Sequence, residues 1–213
     1  MTLQRICERI QREIPQVKIP EIVEDINEIQ KDFCVETEIL RKTGDITIVA
    51  NTVTYTLLTE FSTLDKVLRV DFLDSSGVLV DEEDTLKMDI KPDGKVTFYD
   101  YYGQAITTIP SGIATIRVYY SYTPATLVSG TLTASPDIPD HLHDGLVHGE
   151  LARLYSRIPT IVKAFPDGST AQTKDFQSMQ YNEVKYREYV IKAKKLANIE
   201  KSLLDSKTKP DYF

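Results

Sequence analysis

All three histidines of the chain fall within the run Asp140-His141-Leu142-His143-Asp144-Gly145-Leu146-Val147-His148. On a helix, His141, Asp144 and His148 stand at i, i+3 and i+7, a spacing at which imidazole and carboxylate ligands can share a transition metal. The zinc-protease helix instead needs histidines at i and i+4 with a glutamate beside the first. That arrangement is missing and no cysteine lies nearby. The cluster therefore reads as polar residues at a helix start or a subunit contact, and no metal is expected. Asp81-Glu82-Glu83-Asp84 is the densest charge run. A calcium loop alternates oxygen ligands around a glycine and ends on a distal glutamate. This run has neither, and reads as a solvated loop between strands, or as one that faces a partner or a lumen.

Other chemistries find less support. There is no G-x-S-x-G elbow, and neither Cys7 nor Cys34 has a histidine in a recognisable catalytic context. No phosphate loop is present, and no G-x-G-x-x-G follows a strand. A glycoside hydrolase needs two carboxylates, but 32 acidic residues supply many chance pairs, so none can be nominated. Tyr119-Tyr120-Ser121-Tyr122 has the rings to stack bases, yet residues 44–125 hold 6 basic and 12 acidic groups, a net of −6. The expectation is a protein without catalytic residues or a cofactor.

The whole chain carries 25 Lys and Arg against 32 Asp and Glu, a net charge of −7. Gripping nucleic-acid phosphates needs clustered positive charge, so DNA or RNA binding is not expected. The base is concentrated at the end, where residues 168–213 hold 9 basic and 6 acidic groups. The 213 residues suffice for one elaborated domain or two small ones. Apolar runs are too short for a membrane span, and MTLQRICERIQ has no secretory core. Two cysteines suit a reducing cytoplasm.

The elements that position these residues follow from periodicity. Leu3, Ile6, Cys7, Ile10 and Ile14 recur at helical spacing, and Pro15 and Pro20 punctuate. Ile22, Ile26, Ile29 and Phe33 predict a second helix over about 20 to 40, with Glu21, Glu24 and Asp25 placed to complement its dipole. Cys34 reads as a small buried hydrophobe. After Thr43-Gly44 the pattern switches to period two, and seven or eight short strands are expected up to Tyr122, including Val78-Leu79-Val80. Residues 123–136 form an uncharged connector. Helical spacing then resumes through Leu142, Leu146, Leu151, Leu154 and Tyr155, with Asp137 or Asp140 able to cap. Gly145, Gly149 and Ala152 give this helix a small-residue face. A long helix over about 170 to 204 presents Phe176, Met179, Glu183, Tyr186, Val190, Ala193, Leu196 and Ile199 in rough heptads. The predicted fold is α+β. N- and C-terminal helices (1–43 and 126–204) form a bundle, an antiparallel β-sandwich or barrel-like unit (44–125) is inserted, and 205–213 is a flexible tail.

This order of parts resembles the tail-adaptor, or head-to-tail connector, proteins of tailed bacteriophages, also called head-completion or ring proteins. ICERIQREIPQVKIPEIVEDINEIQKDFCVETEIL is similar to their short helix, proline break and amphipathic helix. NTVTYTLLTEFSTLDKVLRVDFLDSSGVLV resembles their Tyr-containing strand, turn and hairpin lead-in, and ATIRVYYSYTPATL their strand ending in Tyr-x-Pro. PDIPDHLHDGLVHGELARLYSR resembles the helix that follows a proline-rich approach. Glu150 departs from the small residue of that pattern, and neither 81–84 nor the tail after about 200 is matched. The resemblance implies a virion protein made in the host cytoplasm. It would form a homo-oligomeric ring, probably a dodecamer, beneath the portal protein, carry the tail or further ring proteins, and extend or close the channel. Genomic DNA would pass without specific binding, and no membrane is involved. Leu203, Leu204, Tyr212 and Phe213 would dock the portal, and Asp81, Glu82, Glu83 and Asp84 would face a partner or the channel. The alternatives are a virion-associated cell-wall hydrolase, or a receptor- or glycan-binding β module carried on helices.

Overall fold

A computed structural model describes residues 1–157 and 171–207, apart from 50, 51, 53, 58–60, 81–85, 91–94, 101, 103, 108 and 111. Helix α1 (Leu3–Glu13) buries Leu3, Ile6, Cys7 and Ile10, the residues its periodicity singles out. A short turn follows, in which Gln11 Nε2 donates to the Val17 carbonyl at 2.9 Å. Helix α2 (Ile19–Thr37) starts with Pro20 in its first turn, where the missing amide hydrogen costs nothing. It ends at Glu38, whose backbone is left-handed (φ 51°) and whose N–H bonds the Cys34 carbonyl. Ile22, Ile26 and Phe33 are fully buried, and Cys34 lies among the buried residues as a small hydrophobe.

Six strands follow among the described residues: β1 (Arg41–Thr47), β2 (Thr54–Thr56), β3 (Leu64–Leu73), β4 (Leu86–Ile90), β5 (Lys95–Asp100) and β6 (Thr115–Tyr122). They form two antiparallel three-stranded sheets, ordered β1-β6-β3 and β2-β5-β4. The expected strand at Val78–Val80 is reduced to a single bridge, Leu73 to Leu79. The Asp74 carboxylate caps that turn by accepting the Ser76 and Val78 amides, and residues 81–85 beyond it lie outside the described residues. In β6 alternate residues turn inward, so Ile116, Val118 and Tyr120 meet Val96 and Phe98 of β5 in one apolar core. An edge-to-face contact of Phe98 with Phe72 of β3 ties the two sheets together, while Phe98 also meets Tyr55 of β2 edge-to-face within its own sheet. Among the described residues the sheets thus pack as an open sandwich and do not close into a barrel.

The chain then returns to helices. A 3-10 turn (Asp140–Leu142) leads into α3 (His143–Arg157), and α4 (Ala171–Lys207) runs for 37 residues, about 55 Å at 1.5 Å per residue. Leu203 and Leu204 lie in its last turns. The chain divides into two units, Met1–Leu40 with Pro124–Phe213, and Arg41–Thr123. The α+β class, with terminal helices flanking antiparallel sheets, is as the sequence predicts.

In α4 the assignment of faces differs from the heptad reading. Val190, Ala193 and Ala197 are buried, but Phe176 and Ile199 are exposed. A straight helix drifts about 20° per heptad. A heptad stripe followed over 23 residues therefore leaves the packed face.

Candidate functional site

The helical unit holds nearly all the titratable residues that the sequence singles out, and the structure separates them. His141 is exposed. His143 is buried, with Nε2 at 2.7 Å from the Ile138 carbonyl and Nδ1 at 2.8 Å from the Met1 amine. A carbonyl partner requires a proton on Nε2, so Nδ1 accepts and the ring is neutral. Burial lowers its pKa further from the usual imidazole value. Asp144 instead pairs with Arg9 of α1. His148 sits at 2.8 Å from Asn182 Oδ1, to which Nδ1 donates, and stacks on the Tyr189 ring. Of the i, i+3, i+7 set, Asp144 and His148 are thus spent on different neighbours and His141 faces outward. Among the described residues, no group of three or more His, Cys, Asp and Glu is placed to hold a metal. Both anticipated caps are also otherwise engaged. Asp137 accepts the Ala125 amide at 2.6 Å and Asp140 pairs with the Met1 amine at 2.5 Å, while Pro139 occupies the cap position.

Sequence reading missed a buried charge cluster between α2 and α3. Asp25, expected to serve the α2 dipole, is instead buried and accepts Arg157 at 2.6 Å and Arg153 at 3.2 Å. Arg153 also reaches Glu28 at 2.7 Å. Glu150, one turn before Arg153, is fully buried, and among the described residues neither of its carboxylate oxygens has a hydrogen-bond partner. Desolvation pushes its pKa up to about 8, the Asp25 charge adds to the shift, and Arg153 and Arg157 oppose it. Glu150 is therefore mostly protonated at neutral pH, which is how a lone carboxyl is tolerated at a buried position. Burial also raises the Cys7 thiol pKa, with Glu150 contributing, so Cys7 is not an activated nucleophile.

The uncharged connector is held by amide side chains that no motif announces. Asn27 brackets Leu127, donating to its carbonyl at 2.9 Å and accepting its N–H at 2.7 Å, and Gln30 Nε2 donates to the Ala125 carbonyl. The amides of Leu3 and Gln4 bond the carbonyls of Ala134 and Leu132. The small-residue face of α3 does bring backbones close. A Cβ built on Gly145 would lie 2.8 Å from the Tyr189 Cβ of α4, and one on Gly149 would lie 3.0 Å from Ile29. A groove of about 530 Å³ remains between α1, α3 and α4, lined in part by Arg9, Arg12, His148, Tyr181 and Asn182.

Of the proposed docking residues, Leu203 and Leu204 belong to α4 by backbone, whereas Tyr212 and Phe213 lie outside the described residues, as do Asp81, Glu82, Glu83 and Asp84. Among the described residues no helix is long and apolar enough to cross a membrane.

Fold and site together define a two-unit α+β protein whose titratable side chains hold helices against one another. The chain matches the family model of the SU10 adaptor protein over residues 1–189, and it belongs to that family. It is a structural adaptor of a bacteriophage virion and meets other virion components. Comparison with curated proteins finds no match.

Proposed function

We propose that the protein forms a homo-oligomeric ring, twelve-membered, beneath the portal, joins the phage head to the tail or to further ring proteins, and extends or closes the DNA channel. Membership of the adaptor family carries this reading. Charge segregation supports it, because a ring needs two different complementary patches on each subunit. Residues 44–125 are net −6 and 168–213 net +3. An acidic wall is compatible with DNA passing without being bound. In this reading Leu203, Leu204, Tyr212 and Phe213 contact the portal, and Asp81–Asp84 face a partner or the channel. The role is one of contact, with no catalytic residue. The test is the virus grown without this protein. DNA-filled heads and separate tails should accumulate, and adding the purified protein should join them. Normal joined particles in its absence would contradict the proposal.

A further inference from the structure

The outward face of α4 carries apolar side chains that are more than half exposed among the described residues. Phe176, Val184, Ile191 and Ile199 are 54%, 55%, 54% and 57% exposed. By helical spacing Val184, Ile191 and Ile199 face away from Val190, Ala193 and Ala197, which pack inward, whereas Phe176 lies towards the Val190 side. Branched apolar residues such as Val184, Ile191 and Ile199 recurring along one side of a helix mark a surface made to be covered. The same helix is basic, with 8 Lys and Arg against 5 Asp and Glu over residues 171–207, and Lys192, Lys195 and Lys201 are among its exposed residues.

The outward face of α2 is its complement. Over residues 19–37 there is one lysine against six acidic groups. Glu21, Glu24, Glu28, Asp32 and the half-exposed Val35 fall on one side at helical spacing. Within one chain the pairing already occurs at the seam between the two helices, where Lys194 of α4 meets Glu36 of α2 at 2.8 Å.

We propose that the outward face of α4 docks a second copy of this chain, along the outward face of that copy's α2. Lysines would meet the acidic row, and Val184, Ile191 and Ile199 would pack over Val35. Because the two faces differ, the contact is head-to-tail, the type that propagates around a ring. The inference rests on the ring reading above and names the surfaces that close it.

The experiment is sedimentation velocity on the full chain, up to its solubility limit. The wild type should self-associate. Ile191→Asp with Ile199→Asp should weaken association at least tenfold without changing the circular dichroism spectrum, since both positions are exposed. Two charge variants complete the test. One reverses the outward face of α4 (Lys192→Glu, Lys195→Glu) and the other reverses α2 (Glu21→Lys, Glu24→Lys, Asp32→Lys). Each alone should stay monomeric, and an equimolar mixture should regain association, because each reversed face then finds its opposite. A monomeric wild type, undiminished association of the Ile191→Asp/Ile199→Asp protein, or a mixture no better than its components would overturn these surfaces. None of these outcomes bears on the ring reading itself, which the virion test and the protein's binding to the portal decide.

Discussion

The two units bury different kinds of residue. The sandwich encloses an apolar and aromatic core of Ile46, Tyr55, Leu57, Val96, Phe98, Ile116, Val118 and Tyr120, with Asp71 and Ser121 as its buried polar side chains among the described residues. The helical unit buries Asp25, Gln30, Thr37, His143, Glu150 and Asn182 alongside its leucines and isoleucines. Apolar packing supplies stability without direction, whereas buried polar groups are satisfied in few arrangements. The helical unit is therefore the one whose helix register is specified by polar contacts. It is also the unit that carries the complementary outer faces of α2 and α4.

The largest expected effects come from striking each core. Ile26→Asp puts an unpaired charge at a fully buried position and should cost more than about 4 kcal/mol, unfolding the helical unit. Phe98→Ala should cost about 3–5 kcal/mol and strip amide protection from β5 and β6. Hydrogen exchange reads both. An Ile26→Asp protein as stable as the parent would break the face assignment of α2.

A smaller effect is specific to the helical unit. The folded-state pKa of Glu150, about 8, exceeds its reference value of 4.5, so the folded protein holds this proton more tightly than the unfolded one. Stability from this group is then full below about pH 4.5 and is lost as pH rises towards and through 8. Glu150→Gln should flatten that slope, raising the melting temperature more at pH 8 than at pH 5. Equal gains at both pH values would show that Glu150 does not titrate in this window.

The smallest effect compares two arginines. Arg157→Ala exposes buried Asp25 to the loss of one of its two cation partners and should cost about 1–2 kcal/mol. Arg117→Ala removes a two-pronged pair with Asp45 on the outside of the sandwich, at 2.8 Å for each prong, and should cost less than about 1 kcal/mol. Urea titration separates the two. The reverse ranking would erase the distinction between the units.

How much the sequence revealed tracks the range of the interactions. The switch from helical to period-two spacing at Thr43-Gly44 is local, and it marks the passage from helices to strands. Burial of Leu3, Ile6 and Ile10, or of Ile116 and Val118, follows from spacing alone. The cluster of Asp25 with Arg153 and Arg157 joins residues more than a hundred positions apart, and an aspartate near a helix start has an ordinary local explanation in the dipole. Asn27 and Gln30 likewise look like surface amides until the connector is seen against them. Glu150 did carry a signal, as the residue that departs from the adaptor pattern, though nothing local says that it would be buried without a partner. Phe176 and Ile199 were placed inward by an integral heptad that a long straight helix does not keep.

The central claim, a ring adaptor built from head-to-tail contacts, is tested most directly by averaged electron micrographs of this protein mixed with its portal. The account predicts a closed ring of identical subunits on the portal's tail-facing end, with neighbouring subunits touching through α4 and α2. Portal complexes that carry the protein as isolated copies, or portals that bind none of it, would contradict it.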